Sequence, residues 1–311
     1  MNCMINKIIA IQGNHPAKLN PATDTSVFLA NEIQRKRYKI FYYEPKNLSL
    51  VNSEVIADGF FIKFNYDNKI FYKIVKKQKL NLKKCKVILI RQDPPFNLEY
   101  ITTTYILDTI KNKVRIINDP TSIRNISEKL YSFKFQKHMP NTIFSQNIKE
   151  IKKFFKKHNK IIIKPIHSYS GNDIHLFTKF NQKLITKLIK KHDFIMCQKY
   201  LSKIYKGDKR VFLINGKIRG AISRIPKKGS FLSNMSKGAK AINIQLTQTE
   251  IRISKTIAKQ LKKEKIFFAG IDFIDQKLNG DINITSPTGL KTLYDLSKNN
   301  LAKIFWKELN V

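Results

Sequence analysis

The 311-residue sequence has no run of about 18 apolar residues, so a transmembrane helix is not expected. Its start, MNCMINKIIAIQGN, lacks the long apolar stretch and small-residue cleavage site of a secretory signal. It reads instead as the first β-strand of a cytoplasmic protein. Cysteine is scarce. Cys3, Cys85 and Cys197 are scattered and odd in number, which argues against a disulfide framework or a metal-ligand pattern and leaves free thiols. There is no internal repeat, no low-complexity tail, and no Ser-His-Asp or Cys-His arrangement. Acidic residues are few: 22 Asp and Glu stand against 59 Lys and Arg, a formal charge of +37. Lysines gathered in one stripe would mark a nucleic-acid surface. Here they are spread along the whole chain at solvent-facing helix positions, as in IKEIKKFFKKHNK and ISKTIAKQLKKEK. That pattern favours drift toward lysine, isoleucine and asparagine, of the kind AT-rich coding produces. No nucleic-acid partner is expected, but a general attraction for anionic substrates follows.

Short β-branched runs alternate with helix-period segments in the first 124 residues. KIIAIQ, YKIFYYE, KVILIRQ and VRIIND read as strands. SVFLANEIQRKR, capped by Asp24 or Thr25, and YITTTYILDTIK read as helices. This rhythm implies an α/β domain with a mostly parallel sheet. Residues 125–200 form a smaller α+β unit, with SEKLYSFKFQKHM helical and KIIIKP, DIHLF and FIMCQKY as strands around the helix NQKLITKLIKKH. Residues 201–311 hold two hairpins. One turns at Asn215-Gly216; the other pairs IFFAGIDFI with GDINITS. A helix from about Thr247 to Lys263 lies between them, and a final helix closes the chain.

Glycine is missing where a phosphate loop would need it. In KPIHSYSGNDIHLF, from Lys164 to Phe177, a lysine and proline end a strand and small residues follow, yet only Gly171 is present. Four other constellations stand out. Arg91 and Asp93 sit in RQDPPF after an apolar strand, where α/β sheets bind ligands. Lys129 follows NDPTSIRNISE, one helical turn beyond Asn125. Asp208 and Arg210 share one face of a strand, as a phosphate or carboxylate clamp or as a cross-strand ion pair. Asp281 and Asn283 share a strand face, and Asp272 lies on the partner strand. Three oxygen donors on adjacent strands suit Mg²⁺.

Taken in order, NPATDTSVFLANEIQRKRY, VILIRQDPPFNLEYITTTYILD, NDPTSIRNISEKLYSFKF, IIIKP, GDKRVFLINGK, SRIP and GIDFI…INITSPTGL make the chain similar to bacterial glutathione synthetase of the ATP-grasp superfamily. The resemblance spans nearly the whole chain. It implies an N-terminal α/β domain (1–124) followed by a two-subdomain ATP-grasp fold, a lid (125–200) and a metal and substrate unit (201–311). It also implies ATP- and Mg²⁺-dependent ligation of γ-glutamylcysteine with glycine through an acyl phosphate, with Mn²⁺ as an alternative metal. The oligomer it implies is a homotetramer. Position by position, Lys129, Lys164, Ser170, Gly171, Gln198, Tyr200, Leu201 and Asp208 match the nucleotide site. Asp272, Asp281 and Asn283 match the metal ligands, and Arg210, Arg224 and Asn234 the catalytic positions. Asn20, Asp24, Ser26, Arg91, Asp93, Ser286, Thr288 and Gly289 fall on the substrate side. Three departures are visible, one of them in the loop after RIP, where Leu232 and Ser233 precede Asn234 in place of an arginine and a glycine. The family's phosphate loop reads aspartate, glycine, a variable residue, glycine, glycine, where this chain has His167, Ser168, Tyr169, Ser170, Gly171. The family's glutamate ligand is Asp281 here, on a hairpin one residue longer. A ligase for another acid or amine, and a basic nucleotide- or RNA-binding relative with weakened catalysis, are the competing readings.

Overall fold

The structure, a computed structural model, describes residues 7–65 and 70–311. Cys3 lies outside the described residues. The first sheet contains β1 (Ile8–Gln12), β2 (Lys39–Tyr43), β3 (Leu48–Val51), β4 (Glu54–Phe64), β5 (Tyr72–Asn81), β6 (Val87–Ile90) and β7 (Arg115–Ile117). Helices α1 (Thr25–Gln34), α2 (Leu98–Asp108) and α3 (Pro120–Asn125) belong to this part. β2, β1, β6 and β7 run parallel, as the alternation implies. The sheet then continues through an antiparallel half in which β4 pairs with β2, β3 and β5. This half carries no clean apolar alternation. β5 is an edge strand whose Lys73, Lys76, Lys77 and Lys79 are exposed, and edge lysines of this sort block sheet-to-sheet association.

The second sheet holds β8 (Thr142–Ser145), β9 (Ile161–Pro165), β10 (His175–Phe177) and β11 (Ile195–Lys199) in the order β10-β9-β11-β8, all antiparallel. It is covered by α4 (Ile148–His158) and α5 (Gln182–His192). Ile151 and Phe154 from α4, and Ile185 and Leu188 from α5, pack on Ile161, Ile163, Ile195 and Cys197. Residues 130–138 form a 3₁₀ stretch rather than an α-helix. Lys129 precedes it, and α3 ends at Asn125. The two residues are therefore not on one helical face, because the chain leaves α3 in extended backbone at Ile126. Asp119 caps α3, accepting from Ser122 N at 2.9 Å with Pro120 at its first position.

The third sheet runs β14 (Lys240–Asn243), β13 (Lys217–Ile225), β12 (Asp208–Ile214), β15 (Phe268–Ile274), β16 (Lys277–Asn283). β14 lies within what reads as a loop after SRIP. α6 (Gln248–Lys263) opens on a capping box between Thr247 and Glu250. The chain closes with two helices, α7 (Leu290–Ser297) and α8 (Leu301–Glu308), broken at Lys298 in left-handed backbone. One hydrophobic core joins the first and third sheets. It contains Ile9, Ile11, Leu29 and Ile33 from the first part, Phe212, Ile214 and Phe268 from the third, and Trp306 between them.

Candidate active site

Charged side chains of β12, β13, β15 and β16 gather beside Lys129 and Lys164. Lys129 and Lys164 are both buried. The Lys129 ammonium donates to the carbonyls of Ser168 (2.7 Å) and Ile166 (3.2 Å). That of Lys164 donates to Asn279 through its carbonyl (2.7 Å) and its Oδ1 (2.9 Å). Both approach one carboxylate, Asp281, at 3.6 and 3.7 Å. Burial pulls the Lys164 ammonium below its usual range, Asp281 opposes this, and Lys129 adds to it. Two cations against one carboxylate leave this corner with a positive balance suited to phosphate.

Beside it runs a buried ionic chain. Arg224 donates to Asp208 (2.7 Å) and Asp272 (2.9 Å), and Arg210 forks onto Asp272 at 2.9 and 2.8 Å. The strand registers Asp208↔Arg224 and Arg210↔Asp272 set up both pairs. Asp208 and Arg210 thus form cross-strand ion pairs. Burial alone would lift Asp272, but Arg210 and Arg224 hold it well below the usual carboxylate range. Arg224 is pushed up by its two carboxylates against the cost of burial. Asn283 Nδ2 reaches Gly270 O at 3.2 Å.

A divalent cation would take oxygen donors, and three side chains at this corner offer them. Asp281 is partly exposed, and the lysines near it sit beyond hydrogen-bond distance. Among the described residues, Asp272 Oδ1 accepts only from Arg210, and Asn283 Oδ1 has no hydrogen bond. All three side chains therefore keep lone pairs.

The loop after β9 meets a second loop. Gly171 has φ +75°, and a Cβ there would stand 2.6 Å from Asn234 Oδ1. Lys237 donates to Asn172 Oδ1 at 3.1 Å. Ser170 also holds a left-handed backbone, φ +53°. Gln198 is buried and donates to Thr142 (3.0 Å). Tyr200 is buried with Lys160 over its ring at 4.3 Å, and Leu201 packs against the same small cluster.

The expected substrate side also assembles, except at its outer edge. Arg91 is buried, donates to Ser26 Oγ (3.1 Å) and Pro287 O (3.0 Å), and leaves Nη1 buried without a hydrogen-bond partner among the described residues. Ser286 Oγ donates back to Arg91 O at 3.1 Å. Gly289 N donates to Thr25 Oγ1 at 3.1 Å, and Thr288 O lies 3.5 Å from Arg210. Asp24 caps α1 on Val27 N (2.8 Å), and Asp93 accepts from Asn14 (2.8 Å). Burial raises both carboxyl groups, while Arg91 opposes the rise. Asn20 is exposed and serves a local turn on Ala22 N.

Three residues escaped the sequence reading. Glu128 Oε1 accepts from Ile284 N (2.7 Å), Thr285 N (3.0 Å) and Thr285 Oγ1 (3.0 Å), tying Lys129 to the end of β16. Asn118 accepts from Phe267 N and Phe268 N and donates to Phe268 O and Ile284 O, bridging the first and third sheets. Asn279 is the third. Glu128 and Asn118 sit inside quoted motifs, so position gave a signal that chemistry alone did not.

Family models of prokaryotic glutathione synthetase match twice, its N-terminal domain over residues 8–124 and its ATP-grasp domain over residues 128–298. The chain belongs to this family. The glutathione synthetase of Mesorhizobium japonicum is 34% identical over 303 residues, covering 96% of each chain. That of Wigglesworthia glossinidia brevipalpis is 35% identical over 288 residues, covering 90% of each. Among solved structures, D-cycloserine synthetase superposes with a TM-score of 0.66 at 10% identity, over 97% of this chain and 99% of that one. D-alanyl-alanine synthetase A from Vibrio cholerae gives 0.60 at 15% identity, over 97% of each. These likenesses concern the fold alone; the ATP-grasp domain is given by the family model over residues 128–298. As a member of the glutathione synthetase family, the chain is an ATP-dependent carboxylate–amine ligase.

Proposed function

We propose that the chain joins γ-glutamylcysteine to glycine at this cleft, and that the charged corner of Lys129, Lys164 and Asp281 receives ATP with Mg²⁺. The convergence of two buried lysines on one partly exposed carboxylate carries the reading. The division into 1–124, 125–200 and 201–311 assigns the substrate domain, the lid, and the metal and substrate unit.

In the reaction, an oxygen of the cysteinyl carboxylate attacks the γ-phosphorus of ATP, and ADP leaves. The glycine amine then attacks the acyl carbon, loses a proton, and phosphate departs. Lys129 and Lys164 orient the phosphates and offset their charge. Arg210 and Arg224, held rigid by Asp272 and Asp208, face the reacting phosphoryl group. Asp272, Asp281 and Asn283 would hold Mg²⁺, with Mn²⁺ as a substitute. When bound, the metal neutralises charge at the phosphate oxygens. Gln198, Tyr200 and Leu201 line the adenine side, while Ser170, Gly171 and Asn234 close over the phosphates. Asn20, Asp24, Ser26, Arg91, Asp93, Ser286, Thr288 and Gly289 take the peptide and glycine. The unpartnered Arg91 N–H supports a substrate carboxylate there.

A homotetramer in the cytoplasm completes the proposal. No helix among the described residues is long and apolar enough to cross a membrane. A phosphate-release assay with γ-glutamylcysteine and glycine, and with each omitted in turn, tests the reaction. Release that needs both, together with glutathione formation, is expected. ATP binding without turnover overturns it.

A further inference from the structure

The hairpin of β15 and β16 is irregular where it matters most. Ile271 pairs with Ile282 and Phe273 with Leu278, so Asn279, Gly280 and Asp281 all stand opposite Asp272. Such a bulge bends the strand and re-aims its side chains. Gly280 makes it possible. Its φ is +86°, and a Cβ there would stand closer to the Met196 methyl than real contacts allow. The bulge turns two oxygens of Asn279 onto the Lys164 ammonium, at 2.7 and 2.9 Å. In the same turn Asp281 comes between the two lysines. Among the described residues these are the hydrogen bonds that the Lys164 ammonium makes.

We propose that Asn279 is a positioning residue for Lys164: its carbonyl and side-chain oxygens fix the ammonium of a lysine that binds the nucleotide phosphates. An unsaturated ammonium at the end of a four-carbon chain samples many rotamers, and fixing it beforehand removes that cost from binding. Asn279 does not itself touch the substrate in this arrangement. It acts through Lys164, and so its effect vanishes when Lys164 is gone. The inference rests on the reading of Lys164 as a phosphate ligand.

The test is a double-mutant cycle on the full chain, reading the affinity for AMPPNP with Mg²⁺ by calorimetry. Asn279→Ala removes the Oδ1 acceptor and keeps the carbonyl. It is expected to weaken AMPPNP by about tenfold, the scale of one hydrogen bond to a charged group. Lys164→Ala weakens it as well, and the double variant is no weaker than Lys164→Ala alone. KM for γ-glutamylcysteine stays unchanged in Asn279→Ala, which a general loosening of the hairpin would not allow. Should the alanine variant fail to fold, Asn279→Ser enters the same cycle. An unchanged affinity in Asn279→Ala, or a loss that adds in full to that of Lys164→Ala, overturns the positioning role. An unchanged affinity in Lys164→Ala overturns instead the reading of Lys164 on which it rests.

Discussion

Ser170 carries a left-handed backbone at φ +53°, a conformation that costs an L-residue roughly 1–2 kcal/mol. The resemblance drawn from the sequence implies glycine there and at Ser168. Returning both to glycine relieves the strain and still leaves backbone N–H groups for phosphate. Ser168→Gly with Ser170→Gly is therefore expected to bind AMPPNP equally well or more tightly in a calorimetric titration. A large loss would assign the phosphate contacts to the serine hydroxyls. Gly171 differs, because its neighbour Asn234 leaves no room for a Cβ. Gly171→Ala is expected to weaken AMPPNP by pushing the two loops apart. The described cysteines make a second expectation at this scale. Burial pushes the thiols of Cys85 and Cys197 up to about 12, and only the thiolate reacts. Iodoacetamide near neutral pH should leave both unmodified in the folded protein and label both in urea, as peptide mapping reads.

Between elements, α2 and α3 are held by Asp108. It accepts from Arg124 Nη2 at 2.8 Å and from Thr121 Oγ1 at 2.8 Å, and Lys111 lies 2.8 Å away. Burial would raise this carboxyl, but hydrogen bonds from Lys111, Arg124 and Thr121 take it below its ordinary value. A depressed folded-state pKa stabilises the fold above the unfolded-state value and loses that contribution as pH falls through the folded-state value. Asp108→Asn should therefore lower Tm at neutral pH. The difference should shrink at the acid end of a thermal-melt series, and an equal difference at every pH would exclude an ionic origin. Legibility in the sequence varied element by element. The parallel strands β1, β2, β6 and β7 announced themselves as apolar runs because both faces are covered. β5 did not, since this edge strand carries lysines in place of a core pattern, and β3 and β4 mix buried and exposed residues without a regular alternation. That Asp281 and Asn283 share a strand with Asp272 on the strand beside it was readable from strand periodicity. The bulge that aims Asp281 was not, because a register shift arises from pairing with β15 and from the fit of Gly280 against Met196.

For the whole molecule, the net charge of +37 is a property of the surface field. The lysines are spread over the entire chain. They draw anions toward the protein without choosing among them, and salt screens them. KM for ATP is thus expected to rise as ionic strength goes from about 0.01 to about 1 M, over which the Debye length falls from about 30 to about 3 Å. kcat should change less, since Lys129 and Lys164 are buried and weakly screened. A KM independent of salt would show that the surface charge plays no part in capture.

The seam between the first and third sheets has a mechanical consequence. Asn118 makes four buried hydrogen bonds across it. Trp306 donates to Leu29 O at 2.9 Å within a shared core, and Thr25 holds the start of α7. Arg91 and Pro287, one from each side, are joined as well. Parts riveted in this way resist separation as one block. The sheet of β8 to β11 is held to that block by the Lys164 ammonium on Asn279 and by Lys129 on the carbonyls of Ile166 and Ser168, so opening the cleft at this edge has to break those bonds.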